Sequence, residues 1–537
     1  MFDVVIRQGT VVDGTGAAAR VADVAVQNDR IVAIGDLAQA EARKTIHAHG
    51  HIVCPGFIDV HSHSDTYLLI EPDAPSKLSQ GITTEINGQC GGSAAPRFGA
   101  ARLPSDWSSR IYPSLGQTPV LQPGPTWSTM AEYRALFDAV RPAINTIQFV
   151  GHNTLRAGVM GYEPRAAAIG DIAAMQQRLE QALDEGGWGL TTGLLYQPGK
   201  YAHAEEIAAL ARTVVARGGM YATHMRSEGD HLLESIDEVL ELARATGVRL
   251  QISHLKTSGR TNWSKIDVVL ERLNAARSDG VWLHSDRYPY TAAGTDLDIV
   301  LPEWAAAGGN PVILKTLRDP ALRLRVEAEL NASGRDWSEV MVGGCWSDET
   351  RPYQGRRIAE LSEALSASPG EVVCRIIDAD GCRTGAFFFG MSEENLHRIY
   401  AQSWIMPGSD ASLRAPWGVL GADWPHPRAY GTMGRFYRLM TGLPGPRRAS
   451  CEETIRRMTG LPAHAFGIDQ RGVICCGAYA DIVVFNEQEF SDRATYEAPH
   501  QFCTGINYVF VNGCLSYDQG SFTGQRRGRF LTRIGNT

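Results

Sequence analysis

Eight short apolar segments with polar ends, separated by helix-patterned stretches, occupy the middle of the 537-residue chain. They are PGFIDVH (55–61), TTEIN (83–87), TIQFVGH (146–152), GWGLTTG (187–193), MYATH (220–224), RLQISH (249–254), VWLHSD (281–286) and SWIMPGSD (403–410). Amphipathic stretches such as IAAMQQRLEQALDEG and AEEIAALARTVVARGG lie between them. Short apolar runs of this kind read as buried strands, and strands alternating with helices build a parallel sheet with helical crossovers. Eight of them predict an α/β fold, a closed (β/α)8 TIM barrel over 55–469, with an open doubly wound sheet as the alternative. In a barrel the polar strand ends meet at the C-terminal face, where such folds build their sites.

The two ends of the chain have another rhythm. FDVVIRQG, TVVDG, ADVAVQNDRIVAIG and KTIHAHG near the start alternate apolar and polar residues between turns, as do GVICCGAYADIVVFN, GINYVFVNGCLSYDQG and TGQRRGRFL near the end. Each piece is too short to bury a core alone. The expectation is one small β-sandwich or β-barrel domain, discontinuous, from residues 1–54 and 470–537. Two connections are too long for simple loops. Residues 91–145 are rich in Pro, Gly, Ser and Trp, and residues 295–402 contain a predicted helix (LKTLRDPALRLRVEAELNAS) and a predicted strand (EVMVGGCW). Both connections come after predicted strand ends, so both are expected to shape a substrate pocket, the alternative being oligomer contacts.

Composition narrows the function classes. Lys plus Arg is 51 against 59 for Asp plus Glu, a net charge of −8 that offers phosphate backbones no footprint, so no nucleic-acid partner is expected. Nothing approaches the roughly 18 uninterrupted apolar residues of a membrane span, so no membrane partner is expected either. MFDVVIRQGTVVDGTG lacks the basic start, apolar block and small-residue cleavage site of a secretory signal. Ten cysteines are too sparse for a disulfide scaffold. A reduced, cytoplasmic protein is expected, with homo-oligomerisation left open.

Candidate metal ligands stand at the strand ends. His61 and His63 close the first segment at i, i+2 spacing, which projects two imidazoles the same way. Asp59 and Asp65 are placed to orient those rings. His224 ends the fifth segment, His254 the sixth and Asp410 the eighth. Four imidazoles and a carboxylate at one mouth suit zinc or another borderline divalent ion. Cys90 lies in NGQCGGSAAP just beyond the second segment, where glycines allow a tight approach and a thiolate could bridge two cations; a buried, inert thiol is the alternative. His47, His49 and His51 read as a turn cluster. His152 and His284 are candidates for an outer layer around the ligands.

PGFIDVHSHSD, GITTEINGQCGGSAAP, YATHMRSEGD, QISHLKTSGRTNW, DRYPYTAAGT, PGSDAS, HPRAYGTMGR and the closing ADIVVFN occur in this order. Together they resemble the amidohydrolase superfamily and, within it, the D-aminoacylase (N-acyl-D-amino-acid deacylase) family, over nearly the whole chain. The resemblance implies a metal site of His61, His63 and Asp410, with Cys90 bridging to a second site completed by His224 and His254. It implies Zn2+ as cofactor, one ion tight and a second weaker. Other amidohydrolases bridge with a carbamylated lysine on the fourth strand; GWGLTTGLLYQPG has no lysine, which agrees with the Cys-bridged subtype.

The resemblance further implies that Lys256, Tyr288 and Arg428 bind the α-carboxylate of an N-acyl amino acid, as a forked guanidinium, an ammonium and a hydroxyl would. One position departs from the family pattern: Gly294 stands where a substrate-contacting serine is usual, with Thr295 after it as a substitute contact. The implied reaction is hydrolysis of the amide of an N-acyl-D-amino acid by metal-activated water, with Asp410 as general base and then acid. A cyclic-amide or N-substituted formamide hydrolase of the same superfamily is the runner-up, and a non-catalytic binding protein on the same fold a more distant alternative.

Overall fold

The computed structural model describes residues 1–101, 126–443, 445 and 448–533. The chain opens with β1 (Phe2–Val11), β2 (Arg20–Gln27), β3 (Arg30–Gly35), β4 (Ala42–His47) and β5 (Ile52–Pro55). Next come β6 (Phe57–Asp59), β7 (Ile82–Asn87), β8 (Asn145–Gln148), β9 (Val150–Gly151), β10 (Gly189–Gly193), β11 (Met220–His224), β12 (Arg249–Ile252) and β13 (Leu283–Arg287). After β14 (Ala292–Asp296), β15 (Val340–Val342), β16 (Gly385–Phe389) and β17 (Ile405–Pro407), the chain closes with β18 (Ile482–Phe485), β19 (Ile506–Val511), β20 (Cys514–Asp518) and β21 (Ser521–Phe522).

The two termini share one nine-stranded sheet, ordered β21-β20-β19-β18-β5-β1-β2-β3 with β4 paired to β1. Antiparallel register between β18 and β5, Ile482 opposite Pro55 and Phe485 opposite Ile52, is the join between the chain's two ends. Val4, Ile6, Val24, Val26, Ile482 and Val484 are buried on one side of it as a core of their own. The alternating segments read from the sequence at both ends supply these strands, except TGQRRGRFL, which forms no strand and makes only a single bridge at Phe530.

The middle of the chain is a mixed α/β assembly. Strands β6, β7 and β8 pair in parallel, and β9 to β13 together with β17 form a six-stranded parallel sheet. Only Phe149 separates β8 from β9. At the other margin, the Asp410 amide donates to the His61 carbonyl at 2.8 Å and Ser62 bridges Ala411 in parallel. The apolar segments of the sequence therefore all become strands, though β6 stops at Asp59, two residues short of the predicted end. Helices such as Ile169–Asp184, Ala204–Ala216 and Leu232–Thr246 cross between strands with one buried face each.

Residues 295–402 are more structured than the sequence suggested. The predicted long helix is two, Asn310–Arg318 and Pro320–Ala332, because Pro320 cannot continue the first and Asp319 caps the second. Strands β14, β16 and β15 form a small antiparallel sheet over a separate apolar core that includes Leu297, Ile313, Val326, Trp337 and Val373. Much of the 91–145 insertion, residues 102–125, lies outside the described residues; its later part includes the helix Met130–Val140, closed by a Thr129–Glu132 capping box. Among the described residues no helix is long and apolar enough to cross a membrane, and all ten cysteines are free.

Phe485 ties the terminal sheet to the parallel strands. Its ring is 5.1 Å from Phe490, 5.4 Å from Tyr437 and 6.3 Å from Phe57. Phe485→Ala is expected to cost about 3–5 kcal/mol, as other buried Phe truncations do, read as a lower urea midpoint. A midpoint shift below about 1 kcal/mol would show that the join does not depend on this ring.

Candidate metal centre and cavity

All six predicted ligands converge. His61, His63, Cys90 and Asp410 form one cluster and Cys90, His224 and His254 another, with the ligand atoms of each within 4.8 Å of one another. Cys90 belongs to both, its Sγ 3.4 Å from His61 Nε2 and 3.4 Å from His254 Nε2. Asp410 Oδ1 lies 3.0 Å from His63 Nε2 and 3.3 Å from His61 Nε2. His224 Nδ1 is 2.9 Å from His254 Nε2.

Local backbone makes this possible. Cys90 has φ 52°, between Gly88 (φ 77°) and Gly91 (φ 79°), so its loop turns sharply off the end of β7. Gly193 ends β10, and a Cβ there would stand 2.1 Å from the Cys90 carbonyl oxygen. The strand of the segment without a lysine thus also ends in a residue without a side chain where the thiol loop packs.

The outer ring nitrogens of His61 and His254 have partners of their own, which fixes which nitrogen of each faces inward. His61 Nδ1 is 3.2 Å from Asp286 Oδ1, and Asp286 also accepts from Gln251 Nε2 at 2.9 Å and from the His254 amide at 2.9 Å. His254 Nδ1 is 2.8 Å from Glu228 Oε1 and 2.7 Å from Lys256 Nζ, and Lys256 is itself bonded to Glu228. Neither Asp286 nor Glu228 stands out in the sequence. Asp59 and Asp65, expected to orient the rings, point elsewhere. Asp59 takes Lys77 at 2.8 Å and the Ser409 amide at 2.8 Å, while Asp65 accepts from Gln148 at 2.7 Å. His152 pairs with Glu206 at 2.7 Å, and His284 packs with Trp282 and His464, so neither belongs to the ligand surroundings. His51 Nδ1 meets the His49 carbonyl at 3.1 Å, in the expected turn.

Electrostatics favour a cation among these groups. Burial opposes the charge on Cys90, yet His61 and His254 hold its thiol well below the usual range. Burial likewise opposes protonation of His63 and His254, but Asp410 and Cys90 raise His63 to about 9, and Glu228 and Cys90 lift His254 to about 10 despite Lys256. Burial also opposes the charge on Asp410, which Arg428 and the histidines nevertheless hold well below the carboxylate range. Rings that bind protons this tightly offer the same lone pairs to a divalent ion, and a thiolate, imidazoles and a carboxylate are donors zinc accepts.

The clusters open into a cavity of about 810 Å3. Lys256, Tyr288 and Arg428 line one side. Arg428 Nη1 is 2.8 Å from Asp410 Oδ2, its Nη2 donates to the Gly294 carbonyl at 3.2 Å, and its guanidinium stands 4.5 Å from the Tyr288 ring. His426 accepts the Arg428 amide at 3.0 Å and is enclosed by Tyr288, Tyr290, Phe387 and Tyr496. Thr295 donates to the Tyr196 hydroxyl at 3.4 Å, and the Tyr196 ring lies 4.8 Å from His224. Tyr196 and His426 were not singled out from the sequence; an aromatic after a strand end and a histidine two residues before Arg428 are weak signals alone.

Residues 44–517 match the model of the amidohydrolase family. Over 99% of this chain and 97% of its own length, the N-acyl-D-glutamate deacylase of Alcaligenes xylosoxydans xylosoxydans is 35% identical. A solved D-aminoacylase, studied for its binuclear metal centre with one-metal activation and second-metal attenuation, is 34% identical over 99% of this chain and 100% of its own, with a TM-score of 0.81. The N-acyl-D-glutamate deacylase of Bordetella bronchiseptica, solved with zinc and a phosphonate mimic of the tetrahedral intermediate, is 33% identical with the same coverage and a TM-score of 0.81.

Cys90 is the one atom source common to both clusters. Cys90→Ala is expected to cut zinc content after dialysis at least tenfold while leaving the far-ultraviolet circular dichroism unchanged. Unchanged metal content by elemental analysis would return Cys90 to the role of an inert buried thiol.

Proposed function

The chain belongs to the amidohydrolase family, and from that premise we propose that it hydrolyses the amide bond of N-acyl-D-amino acids, releasing a D-amino acid and a carboxylic acid. One observation carries this reading: in a single cavity a cluster of metal-type donors faces two buried cations, Lys256 and Arg428. Donors alone would serve any amidohydrolase. Paired cations beside them suit a substrate whose scissile amide sits next to a carboxylate.

The fold supports the assignment. We take β6 to β13 with β17 as the wall of one closed (β/α)8 barrel, and the nine-stranded sheet as a discontinuous domain of residues 1–54 and 470–537. On this reading His61, His63 and Asp410 would hold one zinc ion, and Cys90, His224 and His254 another, one site tight and one weaker. Bound there, zinc supplies a water acidic enough to ionise near pH 7 and polarises the acyl carbonyl.

The protein's own residues do the rest. Lys256, Arg428 and the Tyr288 hydroxyl hold the α-carboxylate, which fixes the amide against the clusters. Arg428 is at present paired with Asp410. A substrate carboxylate that draws the guanidinium to itself frees Asp410 Oδ2 to accept the proton of the attacking water and to pass it to the departing amine. Tyr196, whose hydroxyl burial keeps protonated, stands over His224 as a donor for the acyl oxygen, and Thr295 holds that hydroxyl. The substrate is the one partner this reading requires; the compartment rests only on the cytoplasmic expectation from the sequence.

An amine-release screen of N-acyl D- and L-amino acids, hydantoins and neutral N-formyl amines, with zinc supplied, tests the assignment. Release from the D-acids is expected, with little from the L-acids; activity confined to hydantoins or neutral formamides would overturn it. Asp410→Asn is expected to keep the fold and lower kcat by roughly 100-fold or more. A rate within a few-fold of wild type would remove Asp410 from proton transfer.

A further inference from the structure

A fully buried lysine joins the two chain segments that carry the His61–His63–Asp410 cluster. Lys77 lies in the short helix Pro75–Leu78 and is 0% exposed. Its Nζ is 2.8 Å from Asp59 Oδ2, 3.0 Å from Ser62 Oγ, 3.2 Å from the Ala411 carbonyl and 3.3 Å from both Ser409 Oγ and Glu85 Oε2. Ser62 stands between His61 and His63, and Ser409 and Ala411 flank Asp410. The carboxylates extend the link. Asp59 accepts the Ser409 amide at 2.8 Å and the Ser409 hydroxyl at 2.6 Å, and Glu85 accepts the hydroxyls of Ser62 and Ser64, each at 2.8 Å.

A buried ion pair that only stabilised the fold would have no reason to bond on both sides of the ligands. Here one ammonium serves the residue between two ligands on one segment and the residues either side of a third on the other. Asp410 also has φ 49°, a conformation that persists only when its surroundings hold it. We infer that Lys77 is a positioning residue for this cluster: it fixes Asp410 relative to His61 and His63. It thereby sets that cluster's affinity for a divalent cation and the reach of Asp410, without governing the Cys90–His224–His254 cluster. The turnover part of this inference rests on the function proposed above; the affinity part does not.

Titration of metal-free protein with zinc against a chromophoric chelator resolves the two steps; because Cys90 serves both clusters, the steps are assigned with His224→Asn, which removes a ligand of the Cys90–His224–His254 cluster alone. Lys77→Met leaves the buried carboxylates of Asp59 and Glu85 without their cation, so the triple variant Asp59→Asn, Glu85→Gln with Lys77→Met is measured alongside, since removing all three charged partners avoids an orphaned charge. In both variants the step that His224→Asn weakens is expected within about threefold of wild type. The other step is expected to weaken at least tenfold, and kcat to fall comparably with KM within about threefold. A wild type that takes a single ion, or variants whose two steps weaken together or not at all, would overturn the inference. The titration uses no substrate, so a protein inactive on N-acyl-D-amino acids still gives a readable answer.

Discussion

Crowded lone pairs at the mouth of the parallel sheet govern the structure around them. Ring nitrogens, a thiolate and a carboxylate, all within 4.8 Å in each cluster, repel one another unless positive charge lies among them. The neighbouring residues are arranged to that end. Asp286 stands behind His61, Glu228 and Lys256 behind His254, and Arg428 against Asp410. Burial strengthens each of these pairings, because little water is present to screen them. The geometry of the site is therefore an electrostatic balance as much as a product of packing.

That balance is held at a backbone cost. Cys90, His254 and Asp410 all have positive φ, at 52°, 36° and 49°. Such conformations cost of order 1–3 kcal/mol each for non-glycine residues and survive where the surroundings over-determine them. For Cys90 the surroundings are glycines: Gly88 and Gly91 on its own loop, and Gly193 on the strand it packs against. For Asp410 they are the two backbone bonds to the His61–His63 segment and the polar layer beneath. Strain gathers at the ligands because each must leave its strand and turn inward within two or three residues.

How much of this was legible depended on sequence separation. Strand periodicity found every parallel strand, and polar strand ends found His61, His63, His224, His254 and Asp410, because both signals are local; Cys90, beyond its strand, was placed among them by the family resemblance. The position of β6 was not local: His61 and His63 lie past its end, held by the bridge from Ser62 to Ala411 across the sheet margin. Asp286 and Glu228 escaped for the same reason. One sits inside β13 and the other on the loop after β11, and only the fold brings them to His61 and His254. Asp59 and Asp65 looked better because they are near in sequence, yet Asp59 is engaged by Lys77 and Ser409 and Asp65 by Gln148. The small antiparallel sheet of β14, β15 and β16 was invisible beyond one strand, since its pairings span the whole 295–402 insertion.

Gly294 has a structural setting that the sequence alone does not show. A missing serine hydroxyl reads as one lost contact to the substrate carboxylate. In the structure Gly294 faces Phe387 across the β14–β16 ladder, and its own carbonyl accepts Arg428 Nη2 at 3.2 Å. A Cβ here would stand 3.4 Å from that same nitrogen, in ordinary van der Waals contact, so it is the backbone carbonyl that orients the guanidinium. Arg428 is steered from three sides: by this carbonyl, by Asp410, and by His426, which accepts its amide. None of these three needs a hydroxyl at position 294, so Arg428 is set by backbone and charge while the neighbouring wall is left bare.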